Sequence, residues 1–292
     1  MISKQQISKF ESDGYIHIPN FFDENEIKIF SNAINIKKSL IEKDSIDKTV
    51  DIEEVWEFIN NTKMLNIIRS LLGDKIYYMH DASIISGSTN KGFLYTWHRD
   101  NPCRRTAVGP DWNVEEKYNV VSSAVYLTDS NSTLNVIKKS HFKNYKYSIS
   151  NMLRVIQRKL RNKKKLNFLK TIIESLIGKH IKYGAGDLVI LYTTLYHAGS
   201  VTKNSENGSR DTIIARYGGE GSHMKTFLNY EMNYRKGIEK YEISTKKNIF
   251  FQKLKENDIY TSPEILKEKI NGMFIPANQV SDSIYKKQNK KN

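Results

Sequence analysis

The chain has 292 residues, of which 39% are hydrophobic and 11% aromatic, and this composition indicates a globular protein with a substantial core. Its single cysteine, Cys103, excludes an internal disulfide and is typical of a reducing compartment. The N-terminus lacks the apolar run of a signal peptide, and no window approaches the about 18 apolar residues of a membrane span. We therefore expect a soluble cytoplasmic protein.

The formal net charge of +14 is concentrated in one segment. Residues 138–186 contain 14 Lys or Arg residues and one acid, Glu174, so 14 less 1 gives +13 there. The rest of the chain carries 14 less 13, or +1. This distribution argues against a general nucleic-acid binder, because the excess charge belongs to one segment only.

The N-terminal quarter predicts helices around one short strand. Residues 5–12 are interpreted as a helix and residues 15–18 as a strand. Asp23 followed by Glu26 resembles a capping box that opens a longer helix. Helical sequence then continues to Gly73, a residue typical of helix ends.

A β-rich region follows and defines a mainly β protein with flanking helices. Runs of apolar and β-branched residues predict strands at residues 76–79, 82–86, 120–127, 188–192 and 212–217.

Apolar residues recur at helical spacing from 152 to 177, among many Lys and Arg residues. The favoured interpretation is a helical insert packed on the domain with a solvated basic face. The alternative is a basic amphipathic segment that docks on an anionic membrane or an acidic partner.

Three side chains predict a metal site. His98 and Asp100 are two residues apart in a segment of extended character, so both lie on one face. His197 follows the strand at 188–192 and supplies a third ligand. Two histidines and one carboxylate with open coordination positions are typical of non-haem Fe(II) oxygenases.

Arg210 precedes the next strand and fits a second requirement of such a site. A 2-oxo acid that chelates iron projects its far carboxylate away from the metal, where a guanidinium is the best partner. Thr212 shares the strand face of Arg210, whereas Arg216 lies roughly 20 Å further along and receives no part in this contact. Four residues near these motifs are substrate-side candidates by proximity in sequence: Arg99, Arg104, Arg105 and Tyr192.

Several motifs, taken in order, resemble the phytanoyl-CoA dioxygenase family of Fe(II)- and 2-oxoglutarate-dependent oxygenases. The resemblance runs from about Phe10 to Tyr217. The motifs are Asp13-Gly14-Tyr15 with Pro19 to Phe22, Trp97 to Asp100, Val125 to Asp129, and Gly186 to His197 followed by Arg210 and Tyr217.

The resemblance implies iron on His98, Asp100 and His197, and 2-oxoglutarate on Arg210. It also implies a double-stranded β-helix, the jelly-roll core that cupins share. We expect one domain over residues 1–292, with a core at about 10–220, the basic insert at about 142–182 and a C-terminal helical extension at about 225–292.

Two departures from the family pattern stand out. Lys138-Lys139-Ser140-His141 replaces a Pro-Gly-Ser-His turn, so the local turn is expected to differ. Gly199 stands where the family often has serine, and Ser200, one residue later, becomes the candidate cosubstrate contact. Asp100 favours hydroxylation, because related halogenases lack this carboxylate.

The predicted function is hydroxylation of an unactivated C–H bond in a small molecule, with release of succinate and carbon dioxide. The basic insert favours an anionic or carrier-tethered substrate and leaves peripheral membrane contact open. One alternative is a basic binding module that docks a membrane, carrier protein or nucleic acid through residues 152–177. Another is a cupin-like metal enzyme of a different reaction type, which has no need of Arg210.

Overall fold

The computed structural model describes most of the chain from residue 2 to residue 261. The described residues are 2–41, 49, 52–86, 97–101, 115–129, 132–160, 169, 172–173, 176–201, 211–234 and 245–261.

The first helix and strand follow the predicted order. Helix α1 spans Lys4–Asp13 and ends at Gly14, whose φ of 89° reverses the chain into strand β1, Tyr15–Ile18. Glycine is required here, since a Cβ would also lie 2.5 Å from Nδ1 of His141. This turn therefore joins the N-terminal helix closely to the core.

Helix α2 spans Glu24–Ile41 and begins at the predicted capping box. The backbone N–H of Glu26 donates to Oδ1 of Asp23, and the N–H of Asp23 donates to Oε2 of Glu26, both at 3.0 Å. Helices α3, Glu53–Ile59, and α4, Thr62–Leu72, follow, and α4 ends at Gly73 as predicted.

The described residues contain nine strands in two sheets. The strands after β1 are β2 Ile76–Ile85, β3 Val120–Tyr126, β4 Ser132–Val136, β5 Lys179–Lys182, β6 Leu188–Tyr192, β7 His197–Val201, β8 Thr212–Gly219 and β9 Ile259–Tyr260. One sheet has the order β1-β6-β3-β8-β2-β9, and the other has the order β5-β4-β7.

Both sheets contribute to one hydrophobic core. Strands β3 and β6 are buried along their whole length, and Leu134 and Val136 of the smaller sheet belong to the same cluster. Helices α1 to α4 supply further members of this cluster, including Phe10, Phe30 and Phe58. The structure thus confirms a mainly β protein with flanking helices.

The basic insert lies between β4 and β5. It contains a 3-10 helix at Lys143–Tyr147 and helix α5, Ile149–Leu160. Leu153 of α5 packs against a small cluster formed by Ile137, Tyr145 and Ile177. Trp97 packs on the same cluster, so the tryptophan beside His98 is a packing residue.

The described part of the C-terminal extension packs on the larger sheet. Helices α6, Ser222–Tyr234, and α7, Thr245–Glu256, precede β9, which pairs in parallel with β2. Phe250 of α7 contacts the rings of Trp56 and Tyr78 at 5.5 and 5.7 Å. Residues 262–292 of the predicted extension lie outside the described residues. Among the helices described here, none combines the length and apolar character needed to cross a membrane.

The turn at residues 138–141 supports the chain near His197. Lys139 adopts a φ of 64°, a left-handed conformation that glycine usually supplies. Ser140 Oγ accepts a hydrogen bond of 2.8 Å from the backbone N–H of Tyr196. The turn thereby fixes the residue that precedes His197.

His141 is buried behind this turn, and we predict that it makes stability depend on pH. Its Nε2–H donates to the carbonyl of Glu11 at 3.0 Å, while Nδ1 has no hydrogen-bond partner among the described residues. Burial lowers the pKa of His141 from 6.5 to about 4. Below pH 6.5 the imidazole is therefore protonated in the unfolded chain, whereas in the native state it stays neutral until the pH approaches 4. The free energy of unfolding falls as the pH decreases through this range.

Between pH 7.5 and pH 5, wild-type protein should lose about 2 kcal/mol more unfolding free energy than His141→Gln. Urea unfolding at both pH values measures this difference. Equal losses in the two proteins would show that His141 does not titrate as its burial predicts.

Candidate metal centre

Backbone hydrogen bonds bring His98 and His197 side by side. The N–H of each residue donates to the carbonyl of the other at 3.0 Å, which forms an isolated antiparallel bridge. The N–H of Asp100 donates to the carbonyl of Thr193 at 2.8 Å. His98 thus lies in an extended segment that forms one isolated bridge, and His197 is the first residue of β7.

The three predicted ligands converge on one point. Nε2 of His98 lies 3.6 Å from Oδ1 of Asp100, and Nε2 of His197 lies 3.7 Å from the same oxygen. The three ligand atoms all lie within 4.8 Å of one another. Separations of 3.6 and 3.7 Å suit metal bonds of about 2.0–2.2 Å, so this group of side chains can hold one ion.

His197 presents a free nitrogen to this point. Its Nδ1 donates to the carbonyl of Leu195 at 3.1 Å, which leaves the lone pair of Nε2 directed at the cluster. Burial, together with the neighbouring His98, lowers the pKa of His197 to about 4, although Asp100 opposes this effect. The imidazole is therefore neutral at pH 7, the form that binds metals.

Asp100 is ionised although it is buried. Burial by itself raises its pKa, but Arg216, His197 and His98 together hold the pKa well below the ordinary value. Nη2 of Arg216 donates to Oδ2 at 3.0 Å. Because Oδ2 is occupied in this way, the carboxylate presents Oδ1 to the two histidines.

The three ligand side chains differ in exposure. The side chain of His98 is 43% exposed, whereas those of Asp100 and His197 are 8% and 10% exposed. His98 is therefore the most accessible of the three ligands.

Thr212, predicted to contact a cosubstrate, is fully buried in β8. Its Oγ1 has no hydrogen-bond partner within the described part of the chain, so a buried hydroxyl is available to a ligand. Thr212 lies on the same strand face as Arg216, four residues away. Ser200 lies in β7, and its backbone pairs with that of Thr133 in β4. Arg210 lies outside the described residues.

The substrate-side candidates that are described have structural contacts. The guanidinium of Arg99 lies 4.1 Å from the ring centroid of Tyr196, and Nη2 donates to the carbonyl of Ser140 at 3.0 Å. Tyr192 is buried and its ring centroid lies 4.4 Å from that of Phe10. Neither belongs to the group of metal-ligand atoms. Arg104 and Arg105 fall outside the described residues.

Arg216 is the site residue that sequence reasoning missed. Arg216 has no predicted part in binding the cosubstrate, because it lies far from Arg210 along the strand. The structure instead places its guanidinium against the carboxylate of Asp100. A signal was present: an arginine in a strand otherwise made of buried residues needs a buried anionic partner.

We predict that Arg216→Met destabilises the metal-free protein by about 3–5 kcal/mol, because it leaves the buried carboxylate of Asp100 without its partner. Urea unfolding in the presence of a chelator measures the loss. The matched comparison is the same substitution in an Asp100→Asn background, where less than half of that loss should remain. Equal losses in both backgrounds would contradict a direct interaction.

Solved structures with the same architecture include several metal enzymes. HygX from Streptomyces hygroscopicus, with nickel and 2-oxoglutarate bound, is 16% identical with a TM-score of 0.53, over 75% of this chain and 88% of that one. EctD from S. alaskensis, with bound Fe, is 18% identical with a TM-score of 0.53, over 75% and 77%. The non-haem α-ketoglutarate-dependent carbocyclase SnoK, from nogalamycin biosynthesis, is 14% identical with a TM-score of 0.51, over 75% and 84%.

These similarities confirm the predicted fold, a jelly-roll double-stranded β-helix of the cupin type. No family model and no curated protein matches the sequence. The chain thus has the fold of non-haem iron and 2-oxoglutarate-dependent enzymes, and it carries a His-Asp-His cluster that can hold a metal ion.

Proposed function

We propose that this protein is an Fe(II)- and 2-oxoglutarate-dependent dioxygenase that hydroxylates a C–H bond of a small molecule. The observation that carries the proposal is the convergence of His98, Asp100 and His197 on one point. Two imidazoles and one ionised carboxylate suit Fe(II), and they leave coordination positions for a chelating acid and dioxygen.

The hydrogen bonds that orient two of the ligands support the same function. The Leu195 carbonyl fixes the His197 tautomer, and Arg216 occupies one oxygen of Asp100. Both ligands are therefore oriented before a metal binds. Solved neighbours with this fold bind Fe, or nickel with 2-oxoglutarate.

We assign the cosubstrate contacts to residues at the start of β8. Thr212 supplies a buried hydroxyl that lacks a partner in the described structure, and Arg210 precedes it by two residues. Arg210 binds the far carboxylate of 2-oxoglutarate through a charge-assisted, two-pronged contact. Ser200 on β7 is a further proposed contact.

The sequence motifs favour a member of the phytanoyl-CoA dioxygenase family, and Asp100 favours hydroxylation over halogenation. Iron with 2-oxoglutarate supplies oxidative decarboxylation coupled to the activation of dioxygen. The chain's own residues hold the three ligands, keep His197 neutral and Asp100 ionised, and exclude water on the buried side. The exposed side of His98 admits the substrate.

The first test is spectroscopic. Anaerobic addition of Fe(II) and 2-oxoglutarate should produce the weak visible charge-transfer band of the chelate, and His98→Ala should abolish it because one ligand is lost. His180→Ala is the matched control, since His180 is an exposed histidine on β5 and should retain the band. The proposal fails if wild-type protein gives no band, or if His98→Ala retains it.

The second test separates the cosubstrate contact from the metal site. In a titration of that band, Arg210→Met should weaken 2-oxoglutarate binding about 10- to 100-fold, because a charge-assisted pair is lost. Thr212→Val should weaken it less than about tenfold, since one neutral hydrogen bond is removed. Metal binding, measured with Co(II) alone, should stay unchanged in both variants. Unaltered 2-oxoglutarate binding in Arg210→Met would assign the contact to another residue.

A further inference from the structure

Helix α5 exposes apolar side chains that a solvated basic helix would not carry. Ile149, Met152 and Ile156 are 73%, 56% and 39% exposed, and their spacing of three and four residues places them on one helical face. The favoured interpretation of this segment, a helix that turns only a basic face to solvent, therefore describes α5 incompletely.

The orientation of α5 is fixed by its inner contacts. Leu153 packs on the cluster of Ile137, Tyr145 and Ile177, and the guanidinium of Arg154 lies 4.2 Å from the ring centroid of Tyr196. Met152 and Arg154 lie about 160° apart around the helix, so a rotation that buried Met152 would remove Arg154 from Tyr196. The apolar outer face is thus a consequence of how the helix is attached.

The exposed apolar residues of the structure concentrate here. Nine of the thirteen large hydrophobic side chains that are exposed in the described structure lie between residues 142 and 176. They come from the 3-10 helix and its start, from α5, and from residues 169–176. The nine are Phe142, Tyr147, Ile149, Met152, Val155, Ile156, Leu169, Ile172 and Leu176.

The same segment holds nearly all of the excess positive charge. Residues 138–186 carry 14 Lys or Arg residues against one acid. Lys159 of α5 and Lys179 and Lys182 of β5 are exposed. Exposed apolar side chains in a strongly cationic segment match the boundary between lipid headgroups and acyl chains when the headgroups are anionic.

We propose that the described residues of the insert, 142–160, 169, 172–173 and 176–182, form a surface that binds anionic lipid membranes peripherally. A membrane is a better match than an acidic protein groove, because the exposed apolar residues come from three separate elements, whereas a groove-binding partner contacts one face of a single helix. The apolar side chains enter the interface, and the lysines contact lipid phosphates. This surface is independent of the proposed enzymatic function, since vesicle binding requires neither metal nor turnover.

Vesicle flotation of the full-length protein tests the proposal. Wild-type protein should float with vesicles of phosphatidylcholine and phosphatidylserine, remain unbound with phosphatidylcholine alone, and detach as salt is raised. The double variant Ile149→Asp/Met152→Asp should lose at least about tenfold in partitioning, because it places acids at the interface. Both positions are exposed, so thermal unfolding should match that of wild type.

The matched control is Ile249→Asp on α7, which changes an apolar residue that is 46% exposed outside this surface. Its partitioning should equal that of wild type. The proposal is overturned if wild-type protein does not bind anionic vesicles. Binding to an acidic protein without binding to vesicles would overturn it in the same way. Equal partitioning of the double variant and wild type would overturn it as well.

Discussion

The buried carboxylate of Asp100 is the interaction on which the site depends. It lies between two imidazoles on one side and the guanidinium of Arg216 on the other. A lone carboxylate at this depth would take up a proton, because burial penalises its charged form. Arg216 keeps it ionised, and the site retains the anionic ligand that a divalent cation needs.

This arrangement also explains how the two sheets cooperate. Arg216 comes from β8 of the larger sheet, whereas His197 begins β7 of the smaller one. Asp100 belongs to neither and is held by the carbonyl of Thr193, just after β6. The jelly roll therefore contributes rigidity: three separate parts of the chain hold their side chains within one small volume.

The insert adds a second surface to the same molecule. Trp97, next to His98, packs on the small cluster that also attaches α5. The insert and the residue next to one metal ligand therefore pack on the same small cluster. A protein that binds a membrane through this surface would hold its metal site near the lipid surface.

Spacing and residue type, which are local properties, were enough to predict the cluster of His98, Asp100 and His197. They also predicted the capping box at Asp23, several strands and the segment that carries the charge. The folded protein adds the contact between Arg216 and Asp100, the ring contacts of Arg99 and Tyr192, and the exposed residues Ile149 and Met152 of α5. Each of those outcomes depends on which distant elements meet, and periodicity along one strand or helix contains no information about its partner.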